Sequence, residues 1–74
     1  MTRDVPIRGE VIRLGQLLKL AGAVDAGGEI KQFLAEEEVR VNGEPEARRG
    51  RQLRPGDIIR AGGEEIRIAA RDHT

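Results

Sequence analysis

The apolar pattern changes period between Glu37 and Val39, and that change restricts the chain to a mixed α+β fold. Upstream, Leu14, Leu17, Leu18 and Ala21 follow i, i+3, i+4, i+7, the spacing of one helical face. Gly22 stands where this helix should stop. Leu20 lies off the stripe and is expected to pack with Val24. Ile30, Phe33 and Leu34 repeat at i, i+3, i+4 and predict a second helix running to about Glu37. Asp25 reads as its N-cap, and Glu29 suits the positive end of its dipole.

Downstream the period is two. Val39-Arg40-Val41 alternates, and Asn42-Gly43 predicts a tight turn into a short return strand over Glu44 to Ala47. Arg48 to Arg54 reads as a loop or irregular strand around Gly50. Pro55-Gly56-Asp57 fits a type II turn. Ile58-Ile59-Arg60, a Gly62-Gly63 hairpin turn and Ile66-Arg67-Ile68 complete the pattern. Near the start, Val5 and Ile7 alternate around Pro6, which allows only an edge strand.

These elements predict one α+β domain over residues 1–74, with two helices packed on a small, curved, mostly antiparallel sheet. Its core should span about 12–68, with residues 1–4 and 70–74 flexible. The expected core is Leu14, Leu17, Leu18, Ile30, Phe33, Leu34, Val39, Val41, Leu53, Ile58, Ile59, Ile66 and Ile68. Seventy-four residues leave little surplus stability. Truncating Phe33, the only aromatic residue, is therefore expected to cost about 3–5 kcal/mol.

Composition removes most catalytic chemistries. The chain has no cysteine and no serine, and its one histidine is His73. Disulfides, thiolate zinc sites and Ser/His/Asp catalysis are thereby excluded. Neither the residues nor their spacing call for a cofactor or a metal, and the expectation is a protein that is not an enzyme. The Glu36-Glu37-Glu38 and Glu64-Glu65 runs read as solvated surface. Gly27-Gly28 precedes a helix and could either hold a phosphate on free N–H groups or simply make a turn. A Walker spacing is absent. No apolar run reaches bilayer length, and Met1 to Arg13 has no hydrophobic signal core. The expectation is a soluble, cytoplasmic monomer with no membrane partner.

Net charge is zero, but the charges are segregated. Glu29 to Glu46 carries six acids against two bases, whereas Ala47 to Gly63 carries five arginines against one aspartate. An arginine-dense loop creates a positive field even on a neutral protein. Two readings stay open at this level: the arginines pair with the neighbouring glutamates, or they face a polyanion. Guanidinium groups bind phosphate oxygens in bidentate fashion. Without Trp or Tyr to stack on splayed bases, structured RNA read by shape and backbone fits better than a single strand. A protein-interaction module using the segregated acidic and basic patches is the alternative.

Four segments between about Ile12 and Ile59 carry a family resemblance. They are Leu14-Gly-Gln-Leu-Leu-Lys19, Gly27-Gly-Glu-Ile-Lys31, Val39-Arg-Val-Asn-Gly-Glu44, and Arg48-Arg-Gly-Arg-Gln-Leu53 followed by Gly56-Asp57. In order and spacing the chain resembles the S4-type RNA-binding domain, or αL motif, found in a small-subunit ribosomal protein, pseudouridine synthases and tyrosyl-tRNA synthetases. It is most similar to the small stand-alone bacterial S4-domain proteins. Many S4 domains open helix two with Ser-Arg, where this chain has Gly27-Gly28. The resemblance implies an RNA surface made by the helix pair and the adjoining loops, with ribosomal RNA or tRNA, and the ribosome, as partners. The expected contacts are Arg48, Arg49 and Arg51, with Lys31 as a second anchor and Lys19 as a weaker one. Gly28 is expected to allow close backbone approach, and Asn42 to shape its turn and donate to RNA.

Overall fold

Strand alternation and turn chemistry together set the sheet. A computed structural model of the chain describes residues 2–24 and 28–71. The elements run β1 (Thr2–Ile7), β2 (Ile12–Arg13), α1 (Leu14–Leu20), α2 (Ile30–Glu36), β3 (Val39–Val41), β4 (Glu44–Pro45), β5 (Gln52–Leu53), β6 (Ile58–Ala61) and β7 (Glu64–Ala70). Five strands form one sheet in the order β1-β7-β6-β3-β4, and β2 pairs with β5 in a separate two-stranded ribbon. Asn42 and Gly43 both have positive φ, 52° and 87°, as a tight hairpin between β3 and β4 requires. The amide of Asp57 donates to the Arg54 carbonyl at 3.0 Å and closes the predicted Pro55-Gly56 turn.

Ile66, Ile59 and Val41 lie side by side across β7, β6 and β3, and Val5 lies beside Ile68 across β1 and β7. All five are buried and join Leu14, Leu17 and Leu18 of α1, Val24, Ile30 and Leu53 in one core.

The structure refines several expectations. The sheet is mostly antiparallel, as expected, but mixed: the edge strand β1 runs parallel to β7, while β7–β6, β6–β3 and β3–β4 are antiparallel. Residues 2–4, expected to fray, belong to that strand, and Asp4 pairs with Arg67 directly across it at 2.9 Å. The core accordingly extends to Val5 and Ile7. Ile58 is outside the core, at 37% exposure, because a period-two strand can bury only one of two adjacent isoleucines, and Ile59 takes that place. Phe33 and Leu34 are only half-buried: Ile30, in the first turn of α2, is the one fully inserted side chain of that helix.

Leu20 is exposed at 56%, while Val24 is buried, so the expected contact between them contributes nothing to the core. The helix cap assigned to Asp25 lies outside the described residues; α2 starts at Ile30 with Glu29 at its N-cap position. Among the described residues no helix is long and apolar enough to cross a membrane.

Candidate nucleic-acid interface

The arginine loop is built onto the start of α1 through its backbone. Leu14 N–H donates to the Arg51 carbonyl and Gly15 N–H to the Arg49 carbonyl, each at 2.9 Å. Two of the helix's otherwise unpaired N–H groups are thereby satisfied by the loop. The approach is close. A methyl group on Gly15 would lie 3.3 Å from Ile30 Cγ2 and 3.4 Å from Arg49 Cβ. Gly15 is therefore the point where α1, the first turn of α2 and the loop converge. Pairing of Arg13 with Gln52 in the β2–β5 ribbon holds the far side of the loop.

Glu46 organises the loop from beneath. Its carboxylate, only 7% exposed, accepts from the Ala47 and Arg48 amides at 3.1 and 3.0 Å. It also accepts from Arg48 Nε at 3.0 Å, Arg48 Nη2 at 3.1 Å and Arg51 Nη1 at 2.8 Å. The Arg48 guanidinium, with help from Arg51, holds the Glu46 carboxyl far below the usual carboxylate range. The same contact raises the Arg48 guanidinium further above its already high value. Two of the three loop arginines expected to face a ligand are thus bonded to a carboxylate. Arg48 still leaves 77% of its side chain in solvent, whereas Arg51 leaves 31%.

Arg49 is different. Its side chain makes no ion pair among the described residues and stands between two shallow grooves. One, of about 350 Å³, is shared with Lys31, Leu34, Ala35 and Ala47. The other, of about 290 Å³, is shared with Arg13, Gln16, Lys19 and Gly50. No carboxylate lines either groove, and Arg13, Lys19 and Lys31 also lack an ion pair among the described residues. Four cations, from β2, α1, α2 and the loop, therefore border one continuous surface.

Of the residues singled out from the sequence, Lys19, Lys31 and Arg49 meet there, while Arg48 and Arg51 are held by Glu46 at its margin. Gly28 is half-buried and lines neither groove. Asn42 lies elsewhere. Its Oδ1 accepts from Ile58 N–H at 2.9 Å and its Nδ2 donates to Asp57 Oδ1 at 3.1 Å, which locks the β3–β4 turn to the 54–57 turn. Arg13 was missed from the sequence. The signal was present, because Arg13, Gln16 and Lys19 repeat at three-residue spacing and share one polar face.

Two short helices beside a sheet, with a basic loop seated on the start of the first, define the protein as an RNA-binding domain of the S4 class. The family model described as S4 domain matches residues 5–69, and the chain belongs to that family. The match takes in the second half of β1 and most of β7, beyond the 12–59 segment in which the resemblance was legible. Among curated relatives, the chain is similar to the probable ribosome maturation protein RlbA of Bacillus subtilis (strain 168). The two are 51% identical over 59 residues, which cover 80% of this chain and 83% of that protein.

Proposed function

We propose that the protein binds structured ribosomal RNA, without catalysis, along the two grooves flanking Arg49. The observation that carries this reading is the clustering of cations on that surface: Arg13, Lys19, Lys31 and Arg49 gather without a carboxylate partner among the described residues. Cations that are not neutralised by their own fold are the ones that release counterions from a polyanion. Backbone and shape, rather than stacked bases, are the features read, since the only aromatic ring, Phe33, is half-buried in α2. The printed name of the Bacillus relative, a probable ribosome maturation protein, supports ribosomal RNA as the target. Arg48 serves as an outer contact through the exposed part of its guanidinium, and Arg51 positions the loop.

The test is filter binding of labelled ribosomal RNA and tRNA across a salt series. Four phosphate contacts give a log K against log[salt] slope of about −3 to −4. A flat salt response with every RNA would overturn the reading. A protein partner that survives nuclease treatment in a pull-down, with no RNA retained, would favour an interaction module instead.

A further inference from the structure

We propose that the RNA footprint continues from Arg49 to a second phosphate-binding cleft formed by Arg8 and Arg54 at the end of the sheet. This rests on the RNA-binding reading above.

The cleft is produced by topology. Because β1 and β7 are parallel and end together at Ile7 and Ala70, the chain leaves the sheet twice at the same place, with Arg8 and Arg71 as the next residues. The Arg71 amide, 3.3 Å from the Ile7 carbonyl, keeps the two exits adjacent. The third wall is the 54–57 turn, tied to β7 by Gly56 N–H to the Ile68 carbonyl at 2.8 Å and Ile68 N–H to the Asp57 carbonyl at 3.0 Å. Asp57 also accepts from the Arg54 amide at 2.9 Å through its side chain, which fixes where Arg54 departs. The resulting cleft, about 620 Å³, is larger than either groove beside Arg49 and is lined by Arg8, Gly9, Glu10, Arg54, Pro55 and Arg71. Among the described residues Glu10 is the one acid in the lining, and neither Arg8 nor Arg54 forms an ion pair with it or with any other described residue.

The cleft is also continuous with the first surface. A groove of about 600 Å³ joins them, sharing Arg8 with the cleft and Gln16 with the Arg49 groove. No acid among the described residues lines this connecting groove, and its middle exposes Val11 at 42% and Leu20 at 56%. A track with cations at both ends and an apolar, acid-free middle suits a nucleic-acid strand, whose phosphates meet the ends while its sugars and bases cross the centre. An acidic protein could satisfy the ends, but a continuous polyanion also accounts for the absence of acids between them.

The experiment uses the full chain, intact bacterial ribosomal RNA, and the Arg8→Ala, Arg54→Ala double variant, with thermal melting to confirm the fold. Removing two phosphate contacts should lower the magnitude of the salt slope by about 2, one for each arginine. The Arg8→Lys, Arg54→Lys variant should restore it, which a purely structural role would not predict. If the alanine pair destabilises the fold, the single Arg8→Gln and Arg54→Gln variants should each lower the slope by about 1. Wild-type binding with a steep slope that these variants leave unchanged would overturn the second cleft and leave the Arg49 surface standing. No salt-dependent binding by the wild type would overturn both.

Discussion

The backbone N–H of Gly15 donates to the carbonyl of Arg49 at 2.9 Å, so the basic loop and the first helix are registered by a main-chain bond rather than by their side chains. This leaves the Arg49 guanidinium unused by the fold. It also makes the position of that charge depend on a residue that carries none.

Gly15→Val tests the registration. Ile30 Cγ2 and Arg49 Cβ already lie 3.3 and 3.4 Å from the site of a first added carbon. Overpacking of this kind costs about 1–3 kcal/mol. The unfolding free energy from urea melts should fall by that amount and RNA affinity should fall with it; an unchanged melt would show that the loop moves away freely.

Arg49→Ala and Arg48→Ala should separate in RNA binding, and only Arg48→Ala also gives up bonds to Glu46 that stabilise the loop. Arg49 is exposed and forms no ion pair among the described residues, so its loss should change stability by no more than about 0.5 kcal/mol and the salt slope by about 1. Arg48 shares Glu46 with Arg51, which still holds that carboxylate in the variant. Its removal should have the smaller effect on RNA. Equal losses measured by filter binding would mean that the Glu46 contact does not withhold Arg48 from the ligand.

Acid titration should report Glu46. Its folded-state pKa lies far below the ordinary value of 4.5 because Arg48 and Arg51 bond the charged form. Below 4.5 the unfolded chain takes up a proton that the folded chain refuses, so this contribution to stability is complete above that pH and is lost as pH falls toward the folded value. Asp4, lowered by its bond to Arg67, acts in the same direction. Glu46→Gln should therefore flatten the loss of stability on acidification, followed by urea melts at successive pH values. An identical acid limb in both proteins would exclude Glu46 as the responsible group.

Core truncations should rank by burial rather than by ring size. Leu53, in strand β5 of the ribbon, is fully buried in the core, and Leu53→Ala should cost about 2–5 kcal/mol. Phe33 is half-buried, so Phe33→Ala should fall below the 3–5 kcal/mol of a fully buried ring. The reverse order in denaturant melts would place α2 deeper in the core than its exposure indicates.

Helices, turns and the inward rows of β3, β6 and β7 were legible because they follow from spacing within a few residues. Leu14, Leu17 and Leu18 describe a helical stripe wherever that helix packs, and Asn42-Gly43 favours a tight turn through its own backbone preferences. Lys19, Lys31 and Arg49 were legible as cations and as part of the S4 resemblance. The parallel pairing of β1 with β7, the choice of Ile59 over Ile58 and the half-burial of Phe33 depend on neighbours far along the chain. No local pattern encodes them.

The same division governs the site. Residue order alone determined that a neutral chain carries a dense arginine loop after two short helices, with no serine, no cysteine and a single phenylalanine as its aromatic residue. Tertiary structure decided which charges are available: it placed Glu46 under Arg48 and Arg51 and left Arg49 between Lys19 and Lys31. Charge content is a property of the covalent chain, whereas neutralisation depends on distances of a few ångströms that exist only once the strands and helices have packed.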